Sequence, residues 1–208
     1  MIPLFIDCSG RRVVIFGGGA VAARKAAYFV QEARVLMVSR SFVQKLETLQ
    51  VEKECVDIKD ASDATLAALI KGAFLVIGAL SDPAQNNRIG RLCRKKGILF
   101  NNAAGETGDV VLPAISRGKH YTLAISTGGS SPAISRYIRE HLECELPELD
   151  IMIVLQNRLR EELKRMEPDQ AKRNTILHKV LADPLVWKLL KTDPEKAWET
   201  VSKRYLHG

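Results

Sequence analysis

Residues 11–22 read RRVVIFGGGAVA, and this stretch decides the fold of the amino-terminal half of the chain. Residues 13–16 predict a buried strand, because they are four consecutive apolar residues bounded by arginine and glycine. Three glycines end this run, and Gly17, Gly19 and Ala22 match the G-x-G-x-x-[GA] spacing of dinucleotide-binding turns. In that motif the first glycine permits a tight turn, the second lets a pyrophosphate approach the backbone, and the third small residue allows close helix-to-strand packing.

The residues after the glycines complete a strand, helix and strand unit. Residues 21–31 are rich in helix formers, and residues 34–38 predict a second buried strand, so the unit has the length of about thirty residues typical of dinucleotide-binding folds. The first turn of such a helix presents free N–H groups to phosphates. An ordinary glycine-rich turn is the alternative that the motif alone leaves open. The predicted diphosphate-binding residues are Gly17, Gly18, Gly19, Ala20 and Val21.

Strand-like and helix-like segments continue to alternate up to about residue 112. Further strands are predicted at residues 51–58, 74–77 and 98–100, and helices at residues 41–49, 65–71 and 84–96. This alternation predicts an open parallel sheet with helices on both faces, a Rossmann-type α/β domain over residues 1–112.

The pattern changes after residue 112. Residues 110–116 and 120–126 predict two antiparallel strands, and Ser131 and Pro132 predict the cap and first position of a helix. We therefore expect a small α+β region at residues 113–146. From residue 147 onward, apolar residues recur at helical spacing between prolines, which predicts a helical domain over residues 147–208.

Composition narrows the classes of function. The chain has 208 residues, 46% of them hydrophobic, and its apolar runs are too short for a spanning helix or a signal peptide, so we expect a cytoplasmic protein without membrane contact. Four scattered cysteines and four histidines lack metal-ligand spacing, and no metal site is predicted. The net charge of +7 comes without a dense basic run, which argues against nucleic acid and leaves a multiply carboxylated ligand open.

Polar residues follow the predicted strands at the edge where ligands of parallel sheets bind. The second strand ends at Ser39 and Arg40, without the acidic residue that usually binds the ribose 2′-hydroxyl of NAD. Arg40 could instead bind the 2′-phosphate of NADP, so we predict NAD without excluding NADP. Ser81 follows the fourth strand and Asn101 ends the fifth, and both are predicted to border the cofactor, with capping or turn formation as the alternative.

Four segments carry a more specific resemblance. They are PLFIDCSGRRVVIFGGGAVAARKA at 3–26, SDPAQNNRI at 81–89, LPAISRG at 112–118 and AISTGGSSPAISRYIRE at 124–140. Together they resemble the precorrin-2 dehydrogenase and sirohydrochlorin ferrochelatase family, which includes the amino-terminal module of siroheme synthases. The last helices match only in helical character and length.

The resemblance implies a homodimer that uses NAD to oxidise precorrin-2, a tetrapyrrole, to sirohydrochlorin. Residues 113–146 would then contact the partner subunit, and the last helices would help to enclose the macrocycle. Some family members also insert iron, and others do not. The carboxylates of the macrocycle would give the basic charge a target. The predicted substrate-binding residues are Asn102, Ser126, Thr127, Gly128, Gly129 and Ser130.

The sequence departs from the family at one position. The family usually carries an aspartate in an N-V-V-D stretch after the fifth strand, and this aspartate is implicated as the essential acid or base. The corresponding residues 101–104 read NNAA, and the nearest carboxylates are Glu106 and Asp109, which we predict as catalytic. Two alternatives stay open: the reaction needs no local base, or the protein is a non-catalytic partner that binds nucleotide and tetrapyrrole.

Overall fold

A computed structural model describes residues 1–207, and the chain divides into two compact units, Met1–Leu112 and a second that begins at Pro113. Five parallel strands form the sheet of the first unit, in the order β3-β2-β1-β4-β5. The strands are β1 (Arg12–Phe16), β2 (Arg34–Ser39), β3 (Glu52–Cys55), β4 (Leu75–Gly78) and β5 (Leu99–Asn102). The predicted Rossmann-type parallel sheet is confirmed.

Three helices cover this sheet: α1 (Ala20–Phe29), α2 (Asp63–Leu69) and α3 (Pro83–Lys96). Local sequence explains the boundaries of α3. The Asp82 carboxylate accepts a hydrogen bond from the backbone N–H of Ala84 at 2.8 Å, and Pro83 occupies the first turn, where its missing N–H costs nothing. Gly97, at a φ of 66°, ends the helix in the left-handed conformation that glycine adopts most easily.

The core lies on both faces of the sheet. Val13 and Ile15 of β1 pack toward α1 on one face, whereas Val14 and Phe16 pack toward α2 and α3 on the other. Residues 13–16 are all fully buried, as expected for a strand in the middle of a parallel sheet covered by helices on both sides.

The predicted helix over residues 41–49 is wrong. The structure has only a 3₁₀ turn, Gln44–Leu46, in this segment. After β2, the chain packs against the glycine turn that follows β1. The N–H of Val43 donates a hydrogen bond to the Gly18 carbonyl at 2.9 Å, and the backbone of Val43 is extended, with a ψ of 150°. This hydrogen bond holds Val43 in an extended conformation, which interrupts the predicted helix.

The second unit contains the predicted strand pair and a set of helices. Strands β6 (Ala114–Arg117) and β7 (Thr122–Ile125) are antiparallel, and α4 (Pro132–Glu145) begins where the Ser131 hydroxyl accepts from the Ile134 N–H. The following helices are α5 (Leu149–Met166), α6 (Gln170–Leu181), α7 (Pro184–Leu190) and α8 (Pro194–Val201), with a π-helical turn at Ser202–Leu206.

A stripe of buried side chains on α5 organises these last helices. Met152, Leu155, Leu159 and Leu163 recur at three- or four-residue spacing and pack with buried residues of α6, α7 and α8. Asp150 ties the helix to the hairpin turn by accepting hydrogen bonds from the N–H groups of Lys119 and His120 at 2.8 and 2.7 Å. The division of this unit at residue 147 stays a prediction.

Candidate functional site

A cavity of about 710 Å³ opens in the first unit at the carboxyl ends of the five parallel strands. It is lined by residues 17–21, 39–43, 56–59, 79–82, 85 and 103–104. Each strand therefore contributes the residues that directly follow it, or its last residue. This edge is where open α/β sheets bind their ligands.

The glycine turn, residues 17–19, closes against two neighbouring loops. Gly17 has a φ of 130°, and a Cβ there would lie 2.5 Å from the carbonyl oxygen of Ala79. A Cβ on Gly18 would overlap the carbonyl oxygen of Ser41. Gly19 differs, because no atom lies within 4 Å of a Cβ built on it. Two glycines thus permit close backbone packing, and the third leaves open space beside the cavity.

The amino terminus of α1 borders the same space. Gly19 is the cap residue and supplies no capping side chain, and no acidic residue occupies the first turn. The first N–H groups of a helix have no acceptor within the helix, so this end carries partial positive charge. Open space, free N–H groups and the absence of a nearby acid in this turn suit a phosphate.

Charged side chains lie at the ends of β2 and β3. Arg40 follows β2 directly and its guanidinium lies 3.3 Å from the carboxylate of Asp57, which follows β3. Lys59 lines the cavity next to them. Sequence reasoning identified Ser39 and Arg40 but missed Asp57. The rule that ligands bind at the carboxyl ends of parallel strands could have found it, since Asp57 lies two residues after the end of β3.

Asn86 fixes the loops at the β4 end of the cavity and was also missed. This residue of α3 is fully buried. Its side-chain oxygen accepts from the Leu80 N–H at 3.0 Å, and its side-chain nitrogen donates to the carbonyls of Leu80 and Ala104 at 3.0 and 3.1 Å. One side chain thereby joins the loop after β4 to the loop after β5, and both loops line the cavity. Ser81 lies in the first of them.

Asn101 and Asn102 make structural contacts at the end of β5. The Asn101 side chain accepts from the Lys25 ammonium and donates to the Val110 carbonyl, each at 2.7 Å. Burial lowers the pKa of Lys25 in this position, and the neighbouring charge of Arg24 adds to the effect. Neither asparagine is among the residues that line the cavity.

The Asn102 side chain holds the loop that follows it. Its nitrogen donates to the Glu106 carbonyl at 2.7 Å and to the side-chain oxygen of Asn87 at 3.0 Å. Its oxygen accepts from the Ala104 N–H at 3.2 Å. These bonds order residues 103–106 next to the cavity.

The two predicted catalytic carboxylates lie in the same loop but outside the cavity lining, where the structure places Ala103 and Ala104 instead. Asp109 accepts from the Phe100 N–H at 3.1 Å, and its charge adds to burial in raising the pKa of Cys93 to about 12. The Glu106 carboxylate is 3.5 Å from the side-chain nitrogen of Asn87.

The predicted substrate loop, residues 126–130, belongs to the second unit and is ordered by its own hydroxyls. The Thr127 hydroxyl accepts from the Ser131 N–H and donates to the Ser131 carbonyl, both at 3.0 Å. Gly128 and Gly129 have φ values of 65° and 90°, and the Gly128 N–H donates to the Ser126 hydroxyl. The loop leads directly into the amino terminus of α4.

Residues 1–207 contain neither a metal-binding cluster nor a helix suited to span a membrane. No group of three or more histidine, cysteine, aspartate or glutamate residues is arranged to hold a metal ion. Within the same residues, no helix combines the length and the apolar character needed to cross a bilayer.

Comparisons with known proteins identify the family to which the chain belongs. Residues 4–114 match a family model described as "Putative NAD(P)-binding", and residues 122–144 match one described as "Sirohaem biosynthesis protein central". A precorrin-2 dehydrogenase of Methanosarcina barkeri is 42% identical over 203 residues, which cover 95% of this chain and 90% of the relative. The chain belongs to the precorrin-2 dehydrogenase family.

Longer and more distant proteins also match this member of the precorrin-2 dehydrogenase family. A siroheme synthase of Azotobacter vinelandii is 30% identical over 95% of this chain, but the match covers only 43% of that protein. A solved structure, "SirC, precorrin-2 dehydrogenase", covers 98% of this chain and all of its own, with a TM-score of 0.70 and 22% identity. This structural likeness shows that the two chains share a fold.

Proposed function

We propose that this protein is an NAD-dependent precorrin-2 dehydrogenase that oxidises precorrin-2 to sirohydrochlorin. One observation carries the proposal: the chain is 42% identical to a precorrin-2 dehydrogenase over nearly its whole length. The open space at Gly19, next to a helix amino terminus without a capping side chain, is consistent with NAD binding in such an enzyme. When bound, NAD accepts a hydride from the partly reduced macrocycle, and one proton is released.

Different residues of the cavity lining would bind different parts of NAD. The N–H groups of residues 19–21 would bind the diphosphate, because they lie where the partial positive charge of α1 meets the cavity. Ser39 and Arg40 lie at the carboxyl end of β2, where the adenosine ribose of this fold class binds. Ser81 and residues 103–104 lie on the β4 and β5 side, which leaves that side for the nicotinamide.

We further propose that Glu106 or Asp109 receives the proton, with water as the competing acceptor. Ala103 and Ala104, which line the cavity, have no ionisable side chain. Both carboxylates lie within five residues of Ala104 in an exposed loop. A positioned base contributes about 10²- to 10⁴-fold to a rate, so a reaction that relies on water would be slow but measurable.

The second unit supplies the substrate and subunit contacts in this proposal. The hydroxyls and N–H groups of residues 126–130 would bind carboxylates of the macrocycle, because Gly128 and Gly129 turn the loop toward the start of α4. The exposed Ile134, Tyr137 and Ile138 of α4 support a homodimer contact. The cytoplasm remains the predicted location.

A turnover assay tests the function. Precorrin-2 is generated in situ and mixed with the protein and NAD, and NADH formation is followed by absorbance. We expect NADH to appear together with the spectrum of sirohydrochlorin. A flat trace, in a sample where binding of the macrocycle is demonstrated, would instead support the non-catalytic binding protein, which the absence of a carboxylate at residues 103–104 favours. Repeating the assay with ferrous iron shows whether the product is metallated.

A further inference from the structure

We propose that Asp57, a residue of the loop after β3, selects NAD over NADP by accepting a hydrogen bond from the 2′-hydroxyl of the adenosine ribose. The inference rests on the proposed function, because it concerns the same cofactor. In most folds of this type an acidic residue that follows the second strand does this work. Here β2 ends in Ser39 and is followed by Arg40.

Strand pairing brings Asp57 to that place from the neighbouring strand. β2 and β3 are parallel, and their last paired residues are Ser39 and Cys55. The N–H of Val56 donates to the Ser39 carbonyl at 3.2 Å and extends the pairing by one residue. Asp57 therefore leaves the sheet beside Arg40, at the same edge, and both residues line the cavity.

The Asp57 carboxylate is held in position from two sides. One oxygen accepts from the backbone N–H of Lys59 at 3.0 Å, and the other lies 3.3 Å from the Arg40 guanidinium. The side chain keeps one third of its surface exposed. An ionised carboxylate offers about four acceptor positions, so these two contacts leave room for a ribose hydroxyl.

Charge decides between the two cofactors. The only cations that line the cavity among the described residues are Arg40 and Lys59, and the Asp57 carboxylate contacts the first and lies two residues before the second. A neutral 2′-hydroxyl can donate to this carboxylate, whereas a 2′-phosphate would meet a like charge. Asp82, the other acid of the lining, caps α3 at the end of β4.

Asp57→Asn tests the inference without altering the shape of the site. Asparagine keeps an acceptor oxygen for the Lys59 N–H, and the loss of the negative charge frees the Arg40 guanidinium for a phosphate. Dissociation constants of NAD and NADP are measured by calorimetry for the wild type and the variant. We expect the wild type to bind NAD more tightly and the preference to shift toward NADP by about tenfold or more in Asp57→Asn. Melting temperatures verify that each variant is folded.

Two further variants make the result specific. Asp60→Asn also removes one negative charge, but from an exposed residue that is not part of the cavity lining. The preference of this variant for NAD over NADP should equal that of the wild type. In Asp57→Asn combined with Arg40→Ala, the gain in NADP binding should largely disappear. The inference would be overturned if the ratio of the NAD and NADP dissociation constants in Asp57→Asn lay within twofold of the wild-type ratio. It would also be overturned if the wild type bound NADP more tightly than NAD. A wild type that binds neither nucleotide would instead refute the proposed function.

Discussion

Two parts of the nucleotide cavity, the one at the carboxyl end of the central strand β1 and the one at the carboxyl end of the edge strand β5, are built in different ways. At the β1 end the shape comes from backbone, because Gly17 and Gly18 let the turn pack against neighbouring carbonyls and Gly19 leaves space. At the β5 end the shape comes from side chains, chiefly Asn86 and Asn102, whose amides hold two loops in place. The turn after β1 matches the dinucleotide motif in full, whereas the loop after β5 lines the cavity with Ala103 and Ala104. Neither Gly17 nor Gly18 can carry a side chain without displacing a neighbouring loop, whereas Gly19 has space for one.

The largest effect should come from removing a proton acceptor at the β5 end. Glu106→Gln and Asp109→Asn each remove one charge, and the variant that lacks the true base should lose about 10²- to 10⁴-fold in kcat, with the dissociation constant of NAD unchanged. Asparagine at position 109 can still accept from the Phe100 N–H, so the loop should stay folded. Turnover and NAD binding are measured on the same samples. Wild-type kcat in both variants would assign the proton to water.

At the β1 end, Gly19→Asp should raise the dissociation constant of NAD by about 10²-fold, because it places a carboxylate where the diphosphate binds. The fold should be unaffected, since Gly19 has an extended backbone with a φ of −85° and open space around the added Cβ. Calorimetry and thermal melting give the two readouts.

Gly18→Ala serves as the contrasting variant for that experiment. Its methyl group would overlap the Ser41 carbonyl, so we expect a loss of about 1–3 kcal/mol in the free energy of unfolding. Equal NAD affinity in Gly19→Asp and wild type would show that the diphosphate binds elsewhere.

A third change tests whether one amide holds the β5 end together. Asn86→Ala leaves the partly buried N–H and carbonyl of Leu80 and the Ala104 carbonyl without their partner, and should lower the free energy of unfolding by about 1–3 kcal/mol. NAD affinity should fall as well, because both loops line the cavity. Urea unfolding and calorimetry measure the two effects. Asn87→Ala, which removes contacts to residues 102 and 106 only, is the control and should leave residues 79–82 in place.

The smallest effect concerns the second unit, where one acid joins a hairpin to a helix. The N–H groups of Lys119 and His120 lower the pKa of Asp150 by binding its charged form. A group whose pKa is lowered by folding stabilises the protein above its unfolded pKa, and this stability is lost as the pH falls through the folded pKa. Asp150→Ala should therefore be less stable than wild type near pH 7, and the difference should shrink as the pH falls below about 4. A difference in urea midpoint that does not change with pH would contradict this role.

Local patterns predicted the first unit and the strand pair of the second because they depend on short-range rules. The burial of residues 13–16, the caps Asp82 and Ser131 and the glycine spacing can each be derived from a few neighbouring residues. The helix predicted at residues 41–49 failed because its outcome depended on a long-range contact, the bond from Val43 to the Gly18 carbonyl.

The sequence by itself determined that a glycine turn would follow a buried strand and lead into a helix, because strand burial, the turn and the helix start are all encoded within about a dozen consecutive residues. Only the tertiary structure decided which distant side chains surround that turn. Asp57 reaches Arg40 because two parallel strands pair, and Asn86 reaches Ala104 because α3 packs beside β5. Such partners are 17 or 18 residues apart in the chain, and their meeting depends on strand order and helix packing, which no local pattern specifies.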